Sequence, residues 1–207
     1  MNAAVMKKRV DLPEKKYEGY IFDLDGTLVD SMPLHYRAWR KALSRAGAPE
    51  SVFGEEEFYS CGGKSANDVV HFLNGRYGLV MDAAATAADK RRIYLEMLEE
   101  EGMQPIREVV EFVHSLGDAP KAIATGSAIP GASRTLSAAG LSDLFDVILT
   151  PEDVEHGKPA PDMFLKAAEL LGAAPGRCVV FEDAVPGIKA AAAAGMDCVQ
   201  VRRASLE

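Results

Sequence analysis

The sequence predicts an α/β protein: a doubly wound parallel sheet with an all-helical segment inserted after its first strand. Three observations carry this. From Ile106 onward, short apolar runs alternate with stretches of helical period, the pattern of strands joined by crossover helices. Those runs, such as Cys178-Val179-Val180-Phe181, are continuously apolar and so suit strands covered on both faces. Between them and the first apolar run lies a stretch, 32–100, with no strand-like alternation.

Taken in order, Met1 to Lys16 is a polar, lysine-bearing extension without the apolar region of a signal peptide. Tyr20-Ile21-Phe22 reads as a buried strand that breaks into Asp23-Leu24-Asp25-Gly26-Thr27. Pro33 to Leu43 is helical and stopped by Gly47. Val69, Val70, Phe72 and Leu73 form a further helical stripe, and Ile93, Tyr94, Met97 and Leu98 another. Gly62-Gly63 and Asn74-Gly75 are expected to interrupt this helical stretch. Then come a helix over 106–116, a strand over 122–125, a helix over 131–139 and a strand over 147–149. A helix over 161–171, a strand over 178–181, an alanine-rich helix over 188–194 and a last strand over 198–201 complete the chain. The expected division is a core of 17–31 plus 101–207, a helical cap of 32–100 and the extension 1–16, with hinges at 30–33 and 101–102.

Composition narrows the function classes. With 48% hydrophobic and 26% charged residues the 207-residue chain resembles an ordinary globular protein. A formal charge of −8 disfavours nucleic acid or an anionic membrane as partner, and no run approaches a membrane span. It leaves open a small anionic substrate, because a local site can oppose the net charge. Cys61, Cys178 and Cys198 are odd in number and lack C-x-x-C spacing, which predicts free thiols and a reducing, cytoplasmic setting. Assembly is expected to be a monomer or small homo-oligomer.

Every core strand that reads clearly ends in groups suited to phosphate chemistry. Asp23 and Asp25 lie at the carboxyl end of the first strand, where open α/β sheets bind ligands, and point the same way if the strand persists. Thr125-Gly126-Ser127 offers hydroxyls and a backbone amide that can approach an anion closely. Lys158 lies in Gly157-Lys158-Pro159-Ala160-Pro161-Asp162, and Glu182-Asp183 ends another strand. Singly, each has an ordinary explanation: Asp-Gly and Thr-Gly-Ser as turns, Lys158 as a solvated loop lysine, Glu182-Asp183 as a helix cap. Four together, each at a strand end, imply an oxygen-ligated divalent cation, Mg²⁺, beside a phosphoryl group.

Phe22-Asp23-Leu24-Asp25-Gly26-Thr27-Leu28, Thr125-Gly126-Ser127, Lys158-Pro159 and Glu182-Asp183-Ala184-x-x-Gly187 together resemble the signature of the haloacid dehalogenase superfamily. The arrangement is similar to its β-phosphoglucomutase-like branch, whose helical cap follows the first motif. The resemblance implies a Rossmann-like core in which Asp23 is the nucleophile and forms an aspartyl phosphate. It makes Asp25 the general acid and then the general base. Thr125, Gly126, Ser127 and Lys158 would hold the phosphoryl oxygens, and Asp23, the Asp25 carbonyl, Glu182 and Asp183 the Mg²⁺. Dehalogenases of the superfamily lack the second aspartate, so Asp25 argues against that chemistry.

Within the branch, mutases carry a cap arginine that grips the substrate's second phosphate. Here Ser65 stands at that position in Gly62-Gly63-Lys64-Ser65, and Lys64 could serve if the alignment slips by one. This looks more like the fructose-1-phosphate phosphatases, and predicts hydrolysis of a small sugar phosphate. A β-phosphoglucomutase is the alternative. A non-catalytic binding module would normally have lost Asp23, Asp25 or Lys158. Lys90 matches a cap lysine of both subgroups and, with His35, Lys64 and Ser65, is a candidate substrate contact. Trp39 is expected to pack in the cap core, and His71 and His114 to be structural.

Overall fold

The computed structural model describes residues 10–62, 64–145 and 147–202. Its centre is a five-stranded parallel sheet: β1 (Gly19–Phe22), β2 (Lys121–Ala124), β3 (Val147–Leu149), β4 (Cys178–Glu182) and β5 (Asp197–Gln200), in the order β3-β2-β1-β4-β5. Strand order reverses at β1, which pairs with β2 on one side and β4 on the other, so the crevice expected at such a switch point opens above Asp23.

Side chains alternate across the sheet. Tyr20, Phe22, Ile123, Val179 and Phe181 enter one apolar layer with Val109, Val110 and Val113 of α5 (Arg107–Ser115) and Ala132 and Leu136 of α6 (Ile129–Ala138). Ile21, Ala122, Ala124, Cys178 and Val180 enter the other, with Met163, Phe164, Ala167 and Ala168 of α7 (Asp162–Leu171) and Ala190 and Ala191 of α8 (Val185–Ala193). Coverage on both faces holds for β1, β2 and β4. It fails at the edges, where Ile148 of β3 and Cys198 of β5 are exposed.

Among the described residues, four helices fill the stretch between β1 and α5: α1 (Met32–Arg45), α2 (Glu55–Ser60), α3 (Ala66–Tyr77) and α4 (Ala83–Glu101). Their outer part has its own core of Trp39, Phe53, Phe58, Val69, Val70 and Leu73, and Trp39 packs edge-on against Phe53 as expected of a core residue. His71 and His114 are exposed on α3 and α5. The expected break at Asn74-Gly75 does not occur. Both residues lie inside α3, which ends at Gly78 in the left-handed conformation (φ +66°). The Asn74 side chain instead clamps the α3–α4 turn, donating to Met81 O at 2.8 Å and accepting from Met81 N at 3.1 Å. Helices α6 and α8 start earlier than the sequence periodicity, at Ile129 and Val185, because Pro130 and Pro186 are tolerated in a first turn that lacks donors' partners anyway.

Residues 1–9 of the polar extension lie outside the described residues. Val10, also assigned to that extension, is fully buried in the core. Among the described residues no helix is long and apolar enough to cross a membrane, and the three cysteines are all unpaired.

Candidate active site

Asp23 is the first residue past β1, and its amide donates to Phe181 O of β4 at 2.9 Å, which fixes the carboxylate at the mouth of the crevice. Lys158 crosses to it from the loop before α7. Its ammonium donates to Asp23 Oδ1 at 2.6 Å and to Glu182 Oε1 at 2.8 Å, with all three side chains at most 9% exposed. Burial disfavours a charged lysine, but the two carboxylates outweigh it and hold Lys158 above its ordinary proton affinity. Asp23 is pushed well above the usual carboxylate range by burial, opposed by Lys158 and reinforced by Glu182 and Asp183. Asp183 rises to about 7 through burial and its neighbour Glu182.

Glycine is required at two places here. A Cβ on Gly187 would lie 1.8 Å from Glu182 Oε1, so the first turn of α8 can pass over the buried glutamate only without a side chain. Gly26 turns with φ +88°, and a Cβ there would meet Asp183 Oδ2 at 2.4 Å.

Asp23, Glu182 and Asp183 each offer an oxygen within 4.8 Å of the others. Three carboxylates facing one lysine leave negative charge unopposed, and an all-oxygen set of this kind fits a hard divalent cation. Glu182 is the least free of the three. Its Oε1 accepts from Lys158, and its Oε2 accepts from Ala184 N at 2.7 Å. Thr27 donates to Asp183 Oδ1 at 3.3 Å.

Asp25 lies in a different environment, two residues away. Ser31 Oγ donates to its Oδ1 at 2.6 Å, Ser127 Oγ to its Oδ2 at 2.6 Å, and His35 Nε2 to Oδ1 at 3.1 Å. Burial would raise this carboxyl, but His35 and the two hydroxyls hold it well below the ordinary range. Lys90 of α4 approaches the other edge of the imidazole ring, with Nζ 2.7 Å from His35 Nδ1. An ammonium can only donate, so Nδ1 accepts and the ring proton sits on Nε2, facing Asp25. Burial and the Lys90 charge lower the proton affinity of His35, consistent with a neutral ring. Burial lowers Lys90 itself to about 8.

The structure thus brings together Asp23, Lys158, Glu182 and Asp183 in one group and Asp25, Ser127, His35 and Lys90 in another. Thr125 is fully buried beneath them, its Oγ1 accepting from Ser127 N at 3.0 Å, which leaves its hydroxyl proton available to an anion. Gly126 is exposed at the rim. Ser65 and Lys64 are not drawn into either group. Ser65 N-caps α3, accepting from Asp68 N at 3.1 Å and donating to Asp68 Oδ2 at 2.6 Å. Lys64 is exposed, its ammonium 5.8 Å from the Phe72 ring centre. The loop itself does approach the core: a Cβ on Gly62 would be 3.6 Å from that of Ala184.

Sequence reasoning missed Ser31. It occupies the N-cap position of α1, yet makes no capping bond and spends its hydroxyl on Asp25. Nothing in the sequence separates it from an ordinary capping serine.

The chain is 37% identical over 189 residues to the fructose-1-phosphate phosphatase YqaB of Escherichia coli, covering 91% of this chain and 98% of that one. It is 37% identical over 187 residues to the hexitol phosphatase A of the same organism, covering 89% and 82%. Among solved structures, a β-phosphoglucomutase from Clostridium difficile superposes with a TM-score of 0.72 at 27% identity, covering 88% of this chain and 83% of the other. The profile described as haloacid dehalogenase-like hydrolase matches residues 17–195. This chain therefore belongs to the haloacid dehalogenase-like hydrolase family.

Proposed function

We propose that this protein is a Mg²⁺-dependent phosphatase that hydrolyses small sugar phosphates through an aspartyl phosphate on Asp23. The observation that carries the reading is the separation of the two aspartates into unlike environments. Asp23 is held by a lysine among carboxylates, whereas Asp25 is held by two hydroxyls and an imidazole. Neighbouring carboxylates with divergent surroundings are how one site supplies a nucleophile and a proton shuttle. The names of the sugar- and hexitol-phosphate phosphatase relatives support the substrate class.

In this mechanism a carboxylate oxygen of Asp23 attacks phosphorus while the P–O bond to the sugar breaks. The sugar oxygen leaves with a proton that Asp25 takes up when the phosphate dianion bound beside it raises its proton affinity. Asp25 then takes a proton from water, whose oxygen attacks the acyl phosphate, releasing inorganic phosphate and restoring Asp23. Lys158, the Thr125 hydroxyl and the Gly126 amide stabilise the phosphoryl oxygens, while the Ser127 hydroxyl stays on Asp25. Asp23, the Asp25 carbonyl and Asp183, steadied by Glu182, would hold Mg²⁺, which when bound neutralises the carboxylates and polarises the phosphoryl group.

We further take 32–100 as a cap that moves on the core at 30–33 and 101–102. Asp30 N donates to Gln104 O at 2.9 Å there, and Gly102 adopts φ +71°. In closing, the cap would deliver His35 and Lys90 to Asp25 and expel water from the leaving-group side. The unpaired cysteines accord with a cytoplasmic location.

Ser65, engaged as a helix cap at the position where mutases carry an arginine, favours a phosphatase over a mutase, because a serine offers no cationic grip for a second phosphate. The test is phosphate release from hexose, pentose, polyol and triose phosphates, with Mg²⁺, excess chelator or Ca²⁺. Release should need Mg²⁺ and be inhibited by Ca²⁺, whose looser geometry misaligns the nucleophile. Full activity in chelator would overturn the metal assignment. Isomerisation of β-glucose 1-phosphate in the presence of its bisphosphate, without phosphate release, would make the chain a mutase.

A further inference from the structure

Tyr94 lies one helical turn beyond Lys90 on the same face of α4, and only 4% of it is exposed. Its ring stacks on the His35 imidazole at 4.0 Å between centres and 2° between planes. Its hydroxyl shares a buried 2.8 Å hydrogen bond with Thr135 Oγ1 of α6. Stacking this close to parallel fixes the plane of the imidazole, and with it the directions in which Nε2 meets Asp25 and Nδ1 meets Lys90.

The tie to Thr135 matters because of where α6 begins. That helix follows directly on the Thr125-Gly126-Ser127 loop, from which Ser127 donates to the second oxygen of Asp25. Asp25 is therefore held from two sides: by α1 and α4 through His35, and by the loop before α6 through Ser127. The Tyr94–Thr135 bond joins those two sides. A second α4–α6 contact, Glu99 to Arg134 at 3.0 Å, is an exposed ion pair and adds little.

We propose that Tyr94, latched to Thr135, is a positioning residue: it registers α4 on α6 so that His35 and Ser127 grip Asp25 together in the geometry that proton transfer to the leaving group requires. This rests on the reading of Asp25 as the acid–base group. Tyr94 touches no reacting atom and acts through His35.

The test is the rate of Asp23 phosphorylation by rapid quench, in the full chain with Mg²⁺, using fructose 1-phosphate and p-nitrophenyl phosphate. The first needs a proton on its leaving group and the second does not. The ratio of the two rates cancels the fraction of folded enzyme, so a loss of packing alone leaves it unchanged. In Tyr94→Leu the ratio should fall about 10-fold. In Tyr94→Phe, which keeps the stack and loses the latch, it should fall about fivefold or less, and equally in Thr135→Val. The double variant Tyr94→Phe/Thr135→Val should be no worse than either single one, as members of one bond are not additive. A wild-type ratio in Tyr94→Leu, or additive effects of the Phe and Val changes, overturns the proposal. Should Tyr94→Leu fail to fold, the Phe and Val pair decides alone. Asp25→Asn is measured beside them. If it shows the fall in ratio and the Tyr94 variants do not, positioning by Tyr94 is wrong and Asp25 stands. If Asp25→Asn shows no fall, the acid–base reading fails and the Tyr94 proposal with it.

Discussion

The edge of the sheet and the inner face of the helical stretch meet at Asp25, and they are built in opposite ways. On the sheet side, charged groups are sunk to the floor of the crevice and satisfied by one another: Lys158 by two carboxylates, Glu182 by Lys158 and the Ala184 amide. On the helical side several charges form exposed pairs, such as Arg92 with Glu96 and Arg37 with Glu101, which contribute little to stability. Lys90, by contrast, is turned inward against its own burial cost to reach His35. The difference teaches a division of labour. The groups at the sheet edge satisfy one another without the helices, whereas His35 and Lys90 reach Asp25 only from the helical side.

Four substitutions break or sharpen that contrast. The largest effect should come from Asp25→Asn, where the two sides meet. Loss of the proton shuttle should slow sugar-phosphate turnover by about 10²–10⁴-fold. With p-nitrophenyl phosphate, whose leaving group needs no proton, phosphorylated Asp23 should accumulate and be visible by mass spectrometry as one added phosphate. Wild-type turnover of p-nitrophenyl phosphate without trapped adduct would assign the proton to another group.

Next, Lys158→Met leaves the carboxylates of the sheet edge without their cation. Breaking a buried ion pair costs about 3–5 kcal/mol, measured by chemical denaturation in chelator. Added Mg²⁺ should raise the melting temperature of this variant more than that of the wild type, since it replaces the missing charge. Equal shifts would mean the ion is not held by these carboxylates.

Lys90→Met should act in two directions. Lys90 is lowered to about 8 in the folded state, against an ordinary value near 10.5, so between those values the unfolded chain binds more protons and stability rises with pH. Below about pH 8 the buried ammonium is a standing cost. At pH 7 the methionine variant should therefore melt about 2–4 °C higher than the wild type, a gap that narrows above pH 8. Its turnover of sugar phosphates should fall about 10-fold. A variant both less stable and fully active would show that Lys90 packs and does nothing else.

The smallest effect belongs to Ser65→Ala. Loss of the α3 cap costs about 1 kcal/mol. The KM for a sugar phosphate should stay at its wild-type value, and a rise in KM without loss of stability would return Ser65 to the substrate site.

How far all this was legible in the sequence depends on the range over which each residue is determined. The strands and helices follow from local apolar periodicity, and strand ends in an open α/β sheet face one crevice by topology alone. Asp23, Thr125, Lys158 and Glu182-Asp183 could therefore be placed at one site from their positions in the pattern. That Asn74-Gly75 continues a helix was not readable, because the clamp on Met81 is a side-chain bond competing with a turn signal. Ser31 was hidden for a related reason: a serine before a helix has two uses, and only the nearness of Asp25 selects between them.

The sequence by itself thus determined the sheet, its helical insertion and the chemical groups at the strand ends, since hydrophobic burial and chain connectivity leave few other arrangements. Tertiary structure alone decided which groups answer each other: Lys158 to Asp23 across 135 positions, Lys90 to His35 across 55, Tyr94 to Thr135 across 41. Such pairs leave no local periodicity. They exist because buried polar atoms must find partners, and packing brings only particular ones within reach.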